Sequence, residues 1–245
     1  MDCQPPHHSM VYKWLNNNRT CLLCDLPAPG SIPLCGACEA ELPWLDERCT
    51  VCALPLAMAG FTCGQCLRRR PAFRRVEAPW HYGYPLDSLI SQFKHAGRWP
   101  VGHLLGQLLA QWLAHRYGEG LPRPDCLLAV PMGNKRLRQR GFNQAAMLAQ
   151  WLGRSLALAQ HDNWLLRPHD TLAQQELGAR ARKLNLLQAF ALAPQAAVNG
   201  LHIGLVDDVM TTGATAQALA LLLRQAGARR VDVYCLARTG KPGQP

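Results

Sequence analysis

One stretch of this sequence sets acids, hydroxyls and glycine at a spacing that carries chemistry: GLVDDVMTTGAT, residues 204–215. An apolar run ends at Val206. Asp207 and Asp208 follow, and Thr211, Thr212, Gly213, Ala214 and Thr215 lead into an apolar helical pattern. Backbone N–H groups converge in such a turn, and the dipole of a following helix adds partial positive charge. The threonine hydroxyls add donors, and Gly213 lets the backbone approach a ligand closely. The turn therefore suits a phosphate monoester. Ionised carboxylates only accept hydrogen bonds, so the aspartates cannot hold that phosphate. They suit a vicinal diol, as acidic residues do in dinucleotide sites. Diol acceptors followed by a phosphate cradle describe a ribose 5-phosphate. The competing reading is an ordinary helix start with two surface acids. Neither GxxxxGK[ST] nor a GxGxxG following a strand occurs in the chain.

The second chemical pattern is made of cysteine. CLLC (Cys21, Cys24) and CGAC (Cys35, Cys38) are repeated as CTVC (Cys49, Cys52) and CGQC (Cys63, Cys66), shifted by 28 residues. A CxxC turn aims two thiolates at one point, and two such turns complete a tetrahedral zinc shell. The Pro- and Gly-containing links suit short ribbon loops. This segment has too few large apolar residues for a core of its own, and metal would supply the missing stability. Two structural Zn2+ sites are expected. Sequential pairing and a cross-braced pairing both satisfy the spacing. A thioredoxin-type dithiol is the competing reading for one CxxC, but four matched pairs argue against it. Cys126 and Cys235 lie in apolar runs and read as core residues.

Two basic stretches have double readings. LRRRPAFRR sets Arg68, Arg69, Arg70, Arg74 and Arg75 in a short Pro-containing link. It is either a contact to a nucleic-acid backbone or a solvated linker. PMGNKRLRQRGFNQ, residues 131–144, follows an apolar strand pattern, and its cations suit either a pyrophosphate or a DNA backbone. Asn143 and Gln144 read as the cap and start of the next helix. Lys94 reads as a cation favourably placed at a helix end. Phe142 and Trp151 read as core residues.

The elements that position these residues alternate. RVEAPWHYG reads as a strand or hairpin arm, PLDSLISQFKHAG as a helix stopped at Gly97, and VGHLLGQLLAQWLAHRYG as a second helix. CLLAV, LHIGLV and VDVYCLA read as buried strands, with NQAAMLAQWLGRSL and TAQALALLLRQAG as helices between them. The chain is expected to leave the sheet at Val206 and start a helix near Thr215. Strands alternating with helices imply an α/β fold, a mostly parallel sheet with helices on both faces. Ligands in such sheets lie beyond the carboxyl ends of the strands. Both GLVDDVMTTGAT and PMGNKRLRQRGFNQ sit at such ends.

Bulk composition agrees. With 245 residues, 49% of them hydrophobic and 17% charged, the chain is long and apolar enough to bury a core. A net charge of +10 favours phosphate-rich partners without choosing among them. The opening MDCQPPHHSM has no apolar core, and no later stretch is a membrane span. A cytoplasmic location without membrane insertion is expected, and there the eleven cysteines are not structural disulfides. The expected organisation is a disordered start (1–17), a double zinc ribbon (18–67), a basic linker (68–75), an α/β domain (76–240) and a tail (241–245).

VDDVMTTGAT resembles the signature of type I phosphoribosyltransferases. The wider chain is similar to the ComF/GntX family, through the doubled cysteine ribbon, SQFKHAG, RGFNQ (140–144), QQELGARARKLNLLQAF (174–190) and VDDVMTTGAT. The resemblance covers nearly the whole length and implies a type I phosphoribosyltransferase-like domain behind the ribbons. It implies 5-phosphoribosyl 1-pyrophosphate (PRPP) or a nucleotide as ligand, with Mg2+ bridging diphosphate and ribose oxygens. Val206, Asp207 and Asp208 would then line the ribose, and Thr211 to Thr215 the 5-phosphate. Pro131, Lys135, Arg136 and Arg140 would line the pyrophosphate. Arg182, with Arg180 and Lys183, would belong to a loop closing over the ligand, unless these form a solvated helix face. A role in DNA uptake or utilisation is also implied, with single-stranded DNA and the uptake machinery as partners. The alternative is an active phosphoribosyltransferase of nucleotide metabolism with an unknown acceptor base.

Overall fold

The computed structural model describes residues 20–95, 97–168 and 189–241. The chain divides into two compact units at Leu42 and Pro43, so the two cysteine repeats fall on either side of the division.

The repeat seen in the sequence is also a repeat of backbone. In the first unit a bridge joins Thr20 to Pro27, Cys21 N–H donates to Leu26 O at 2.7 Å, and a short helix α1 spans Gly36–Ala40. In the second unit Arg48 bridges Pro55, Cys49 N–H donates to Leu54 O at 2.8 Å, and α2 spans Gly64–Arg68. Asp25 (φ 60°) and Ala53 (φ 51°) take the same left-handed turn in each copy.

The rest of the second unit is a parallel sheet with helices. Its elements run β1 (Arg75–Glu77), β2 (Trp80–His81), α3 (Leu86–His95), α4 (Trp99–Gly118), β3 (Cys126–Ala129), α5 (Asn134–Arg140) and α6 (Gln144–Leu156). Then come β4 (Ala159–Gln160), β5 (Leu165–Leu166), β6 (Ala191–Leu192), β7 (His202–Met210), α7 (Ala214–Gln225) and β8 (Arg230–Arg238). The strand order is β1-β8-β7-β3-β4, with β2 also on β8 and every pairing parallel. β5 and β6 form a separate antiparallel pair. Of the two readings of 75–83, strand or hairpin arm, the segment takes the first, as two short strands lying in line along β8 and interrupted at Ala78 and Pro79.

β3 and β7 are buried nearly end to end, as central parallel strands should be. From β3 the chain winds outward to β4, then returns to place β7 on the other side of β3. That reversal makes the carboxyl ends of β3 and β7 the topological switch point, where a crevice opens in sheets of this kind.

Candidate functional site

The switch point gathers the two motifs. Ala129 pairs with Val206, and Val130 N–H donates to Val206 O at 2.9 Å, so the chain leaves β3 at Pro131 beside the two aspartates. Asn143 Nδ2 ties this exit to the following helix by donating to Val130 O at 3.0 Å. Its Oδ1 caps α6 by accepting from Ala145 N–H at 3.0 Å, the role its residue type implied.

The sheet runs further than expected. β7 continues past Val206 to Met210, with Asp207 paired to Cys235 and Val209 to Ala237, and helix α7 starts at Ala214. The acids therefore stand on the last turn-free residues of a strand rather than in a loop. The β7–β8 register skips Asp208 and resumes at Val209, and each acid bonds its own neighbour: Asp207 Oδ1 accepts from Asp208 N–H at 2.9 Å, and Asp208 Oδ1 from Val209 N–H at 2.6 Å. Asp207 Oδ2 accepts no hydrogen bond among the described residues. Burial, reinforced by the neighbouring Asp208 charge, pushes the Asp207 carboxyl up to about 7.

Lys94 completes the acid pair. Its Nζ lies 2.9 Å from Asp208 Oδ2, with both side chains mostly shielded from water. Sequence reasoning gave Lys94 only a helix-end role. The available signal was its place in α3, the helix that follows β2, which itself pairs with the carboxyl end of β8. Behind it, Phe93, Phe142, Trp99 and Trp151 pack ring on ring at 5.5 to 5.8 Å between centroids, so Phe142 and Trp151 pack as expected.

Thr211, Thr212 and Gly213 form the turn. The N–H groups of these three residues have no acceptor among the described residues, and the two threonines are exposed. Gly213 takes φ +76°, a conformation that favours glycine; a Cβ there would also stand 2.4 Å from Met210 Cε, whose flexible side chain would have to move. Thr212 Oγ1 accepts from Ala214 N–H at 3.3 Å. The turn is thus an open nest of donors beside a carboxylate with an open acceptor.

PMGNKRLRQR is not a plain loop. Residues 134–140 form α5, stopped by Gly141 at φ +79°. Good helix formers with a glycine stop explain this. Lys135, Arg136 and Arg138 are exposed on it, and Arg140 Nη1 donates to Gln144 Oε1 at 3.1 Å. Arg180, Arg182 and Lys183 lie outside the described residues. A cavity of about 530 Å³ opens on the other flank of Pro131, lined by Met132, Leu137, Met147, Leu165 and Arg167 among others. None of Asp207, Asp208 and residues 211–215 lines it, so it flanks the acid and donor cluster without being part of it.

The cysteines meet in two sequential clusters, Cys21/Cys24/Cys35/Cys38 and Cys49/Cys52/Cys63/Cys66, with all ligand atoms of each within 4.8 Å of one another. This settles the pairing left open by spacing. Tetrahedral zinc with bonds near 2.3 Å requires sulfur atoms about 3.8 Å apart. The Sγ separations of 3.6 Å (Cys24–Cys35) and 3.7 Å (Cys52–Cys63) fit that ion. Burial raises the Cys49 thiol, but N–H donors from Cys63, Cys52 and Val51 outweigh it and bring it down to about 7, toward the thiolate a metal needs. Arg68, Arg69, Arg70 and Arg74 are exposed just beyond the second cluster, whereas Arg75 Nη1 turns to the buried Glu77 at 3.5 Å. Cys126 and Cys235 are buried in the core.

The chain is 38% identical over 221 residues to the DNA utilization protein YhgH of Escherichia coli K12, covering 89% of this chain and 96% of that one. The chain belongs to the ComF/GntX family. Competence protein F of Haemophilus influenzae is 34% identical over 212 residues, covering 85% and 86% of the two chains. Competence protein ComFC of Bacillus subtilis is 24% identical over 239 residues. The double zinc ribbon domain family matches residues 14–67 of this ComF/GntX chain. Among solved structures, a purine phosphoribosyltransferase from Pyrococcus horikoshii overlaps 55% of this chain and 70% of its own at 17% identity, with a TM-score of 0.34. A glutamine PRPP amidotransferase from B. subtilis overlaps 55% and 25% at 19% identity, with a TM-score of 0.38. Among the described residues, no helix of this ComF/GntX protein is long and apolar enough to cross a membrane.

Proposed function

We propose that this protein binds PRPP or a nucleotide at the carboxyl ends of β3 and β7 and acts in DNA utilisation of the competence type. One observation carries the reading: among the described residues, the N–H groups of Thr211, Thr212 and Gly213 have no acceptor, and Asp207 Oδ2, four residues upstream of Thr211, accepts no hydrogen bond. Donors in that number call for an anion, and a carboxylate acceptor calls for hydroxyls. A ribose 5-phosphate presents both. The 5-phosphate lies in the turn, Asp207 and Asp208 accept from the ribose diol, and Val206 underlies the sugar. A diphosphate at C1 extends past Pro131 toward Lys135, Arg136 and Arg140. Mg2+ bound with PRPP would neutralise the diphosphate and keep several waters. Lys94, 2.9 Å from Asp208 in the free protein, sets a cation beside the acid pair.

The DNA-related part of the reading is supported by the names of the relatives and by the run of exposed arginines at 68–70. The second reading is turnover. Cleaving the anomeric C–O bond builds positive charge on the ribose, which two adjacent carboxylates stabilise. A thermal-shift screen with PRPP, nucleotides and short single strands, with and without Mg2+, tests the binding reading. PRPP with Mg2+ should raise the midpoint of the full chain by several degrees; no shift with any phosphoribosyl ligand contradicts it. Pyrophosphate release across a panel of bases separates turnover from binding alone.

A further inference from the structure

The second cysteine cluster and the Thr211–Gly213 turn are joined by a single side chain. Arg238 is the last residue of β8 and is only 5% exposed. Its Nε donates to the carbonyl of Cys52 at 3.0 Å. Its Nη1 donates to the carbonyls of Met210 at 3.2 Å and of Thr239 at 2.6 Å, and also to the carbonyl of Thr211. Among the described residues no carboxylate forms an ion pair with it. Nη1 also reaches Thr239 Oγ1 at 3.4 Å. A buried guanidinium whose partners are all neutral oxygens is costly unless those partners are held in place.

Those partners matter for the turn. In a trans peptide the C=O and the next N–H point in opposite directions. Drawing the Met210 and Thr211 carbonyls onto Arg238 therefore aims the N–H groups of Thr211 and Thr212 away from it, toward the open side of the turn. The Met210 carbonyl is also held by Thr239 N–H at 3.1 Å, so freed from Arg238 it is the Thr211–Thr212 peptide that can rotate and present oxygen where a phosphate needs hydrogen. The guanidinium charge behind the turn also favours an anion in front of it.

The other anchor is a zinc-ligand residue. Cys52 closes the CTVC knuckle, and cysteines 49, 52, 63 and 66 lie in the same apolar core as Val76, Met210 and Cys235. Val76 N–H also donates to Val51 O at 2.8 Å, inside that knuckle. Metal fixes the knuckle, the knuckle fixes the Cys52 carbonyl, and that carbonyl orients Arg238. The first cluster lies in the other compact unit and takes no part in this relay.

We propose that Arg238 is a positioning residue that couples the metal state of the Cys49/Cys52/Cys63/Cys66 cluster to the anion-binding competence of the Thr211–Gly213 turn. The inference rests on reading that turn as a phosphate site. Coupling of this kind is reciprocal: metal at the second cluster raises affinity for the phosphoribosyl ligand, and the ligand slows metal loss.

The test uses the zinc-loaded full chain, PRPP with Mg2+, and a zinc-selective chromogenic chelator. Wild-type protein should release zinc in two phases, one of them slowed about tenfold by saturating PRPP. Arg238→Lys keeps the charge but loses the fork that reaches both anchors, and Arg238→Met loses both. Each variant should keep two zinc ions per chain, bind PRPP about tenfold more weakly, and lose the ligand-dependent slowing. A merely structural role for Arg238 would speed zinc loss equally with and without PRPP, and that result overturns the proposal. So does PRPP binding unchanged in both variants. If neither variant folds, the wild type decides alone: zinc release indifferent to bound PRPP overturns the coupling. Wild type that binds no PRPP removes the phosphoribosyl reading itself, and the coupling falls with it.

Discussion

At the scale of single residues the site holds a charge it would shed without a ligand. Burial and the Asp208 charge raise Asp207 from an ordinary 3.8 to about 7. The folded chain therefore binds this proton more tightly than the unfolded chain, and stability contributed by the protonated carboxyl is lost as pH rises from about 4 to about 7. Asp207→Asn removes the penalty. At pH 8 the unliganded variant should melt a few degrees above wild type, at about 2–4 °C per kcal/mol for a chain of this size, and near pH 4 the two should coincide. Calorimetry at both values checks this; a variant less stable than wild type at pH 8 contradicts the assignment of strain to Asp207. Lys94→Met removes the cation 2.9 Å from Asp208 and should weaken ligand binding by stranding two adjacent acids without a counter-charge, an effect that rises with pH and that Lys94→Arg partly restores.

At the scale of elements, much was legible in the sequence. β3, β7, β8 and helices α3, α4, α6 and α7 follow from apolar periodicity with glycine and asparagine punctuation, because burial on a sheet and capping are local signals. What stayed illegible depends on partners distant in sequence. The extension of β7 through two aspartates is imposed by the β8 ladder at Cys235 and Ala237, and no propensity favours acids in a strand. The ion pair of Lys94 with Asp208 and the reach of Arg238 to Cys52 join segments far apart in the chain. The 28-residue repeat was legible down to its turns, but spacing gave no sign that the second copy is built into the core of the α/β body. That difference between the copies is testable. Cys52→Ser should lower the main melting transition by about 10 °C, since a structural zinc site contributes several kcal/mol to the fold around it. Cys24→Ser should lower it less. Equal effects would mean that the second ribbon is not part of the α/β core.

At the scale of the whole molecule, a chain of net charge +10 presents phosphate-seeking surface in more than one place. The exposed Arg68, Arg69 and Arg70 are the place proposed for nucleic acid. Neutralising all three should lower affinity for single-stranded DNA and reduce the slope of log affinity against log salt by about 2, at about 0.7 per phosphate contact. An unchanged slope would leave them as solvated linker residues. The proposed activity rests on the acid and donor cluster at the ends of β3 and β7. Its most direct test is a calorimetric titration of PRPP with Mg2+ into wild type, the double variant Asp207→Asn/Asp208→Asn, and Gly213→Val. The account predicts one site per chain in the wild type, at least about tenfold weaker binding in the double variant, and none in Gly213→Val. Equal binding in all three, or none in the wild type, would contradict it.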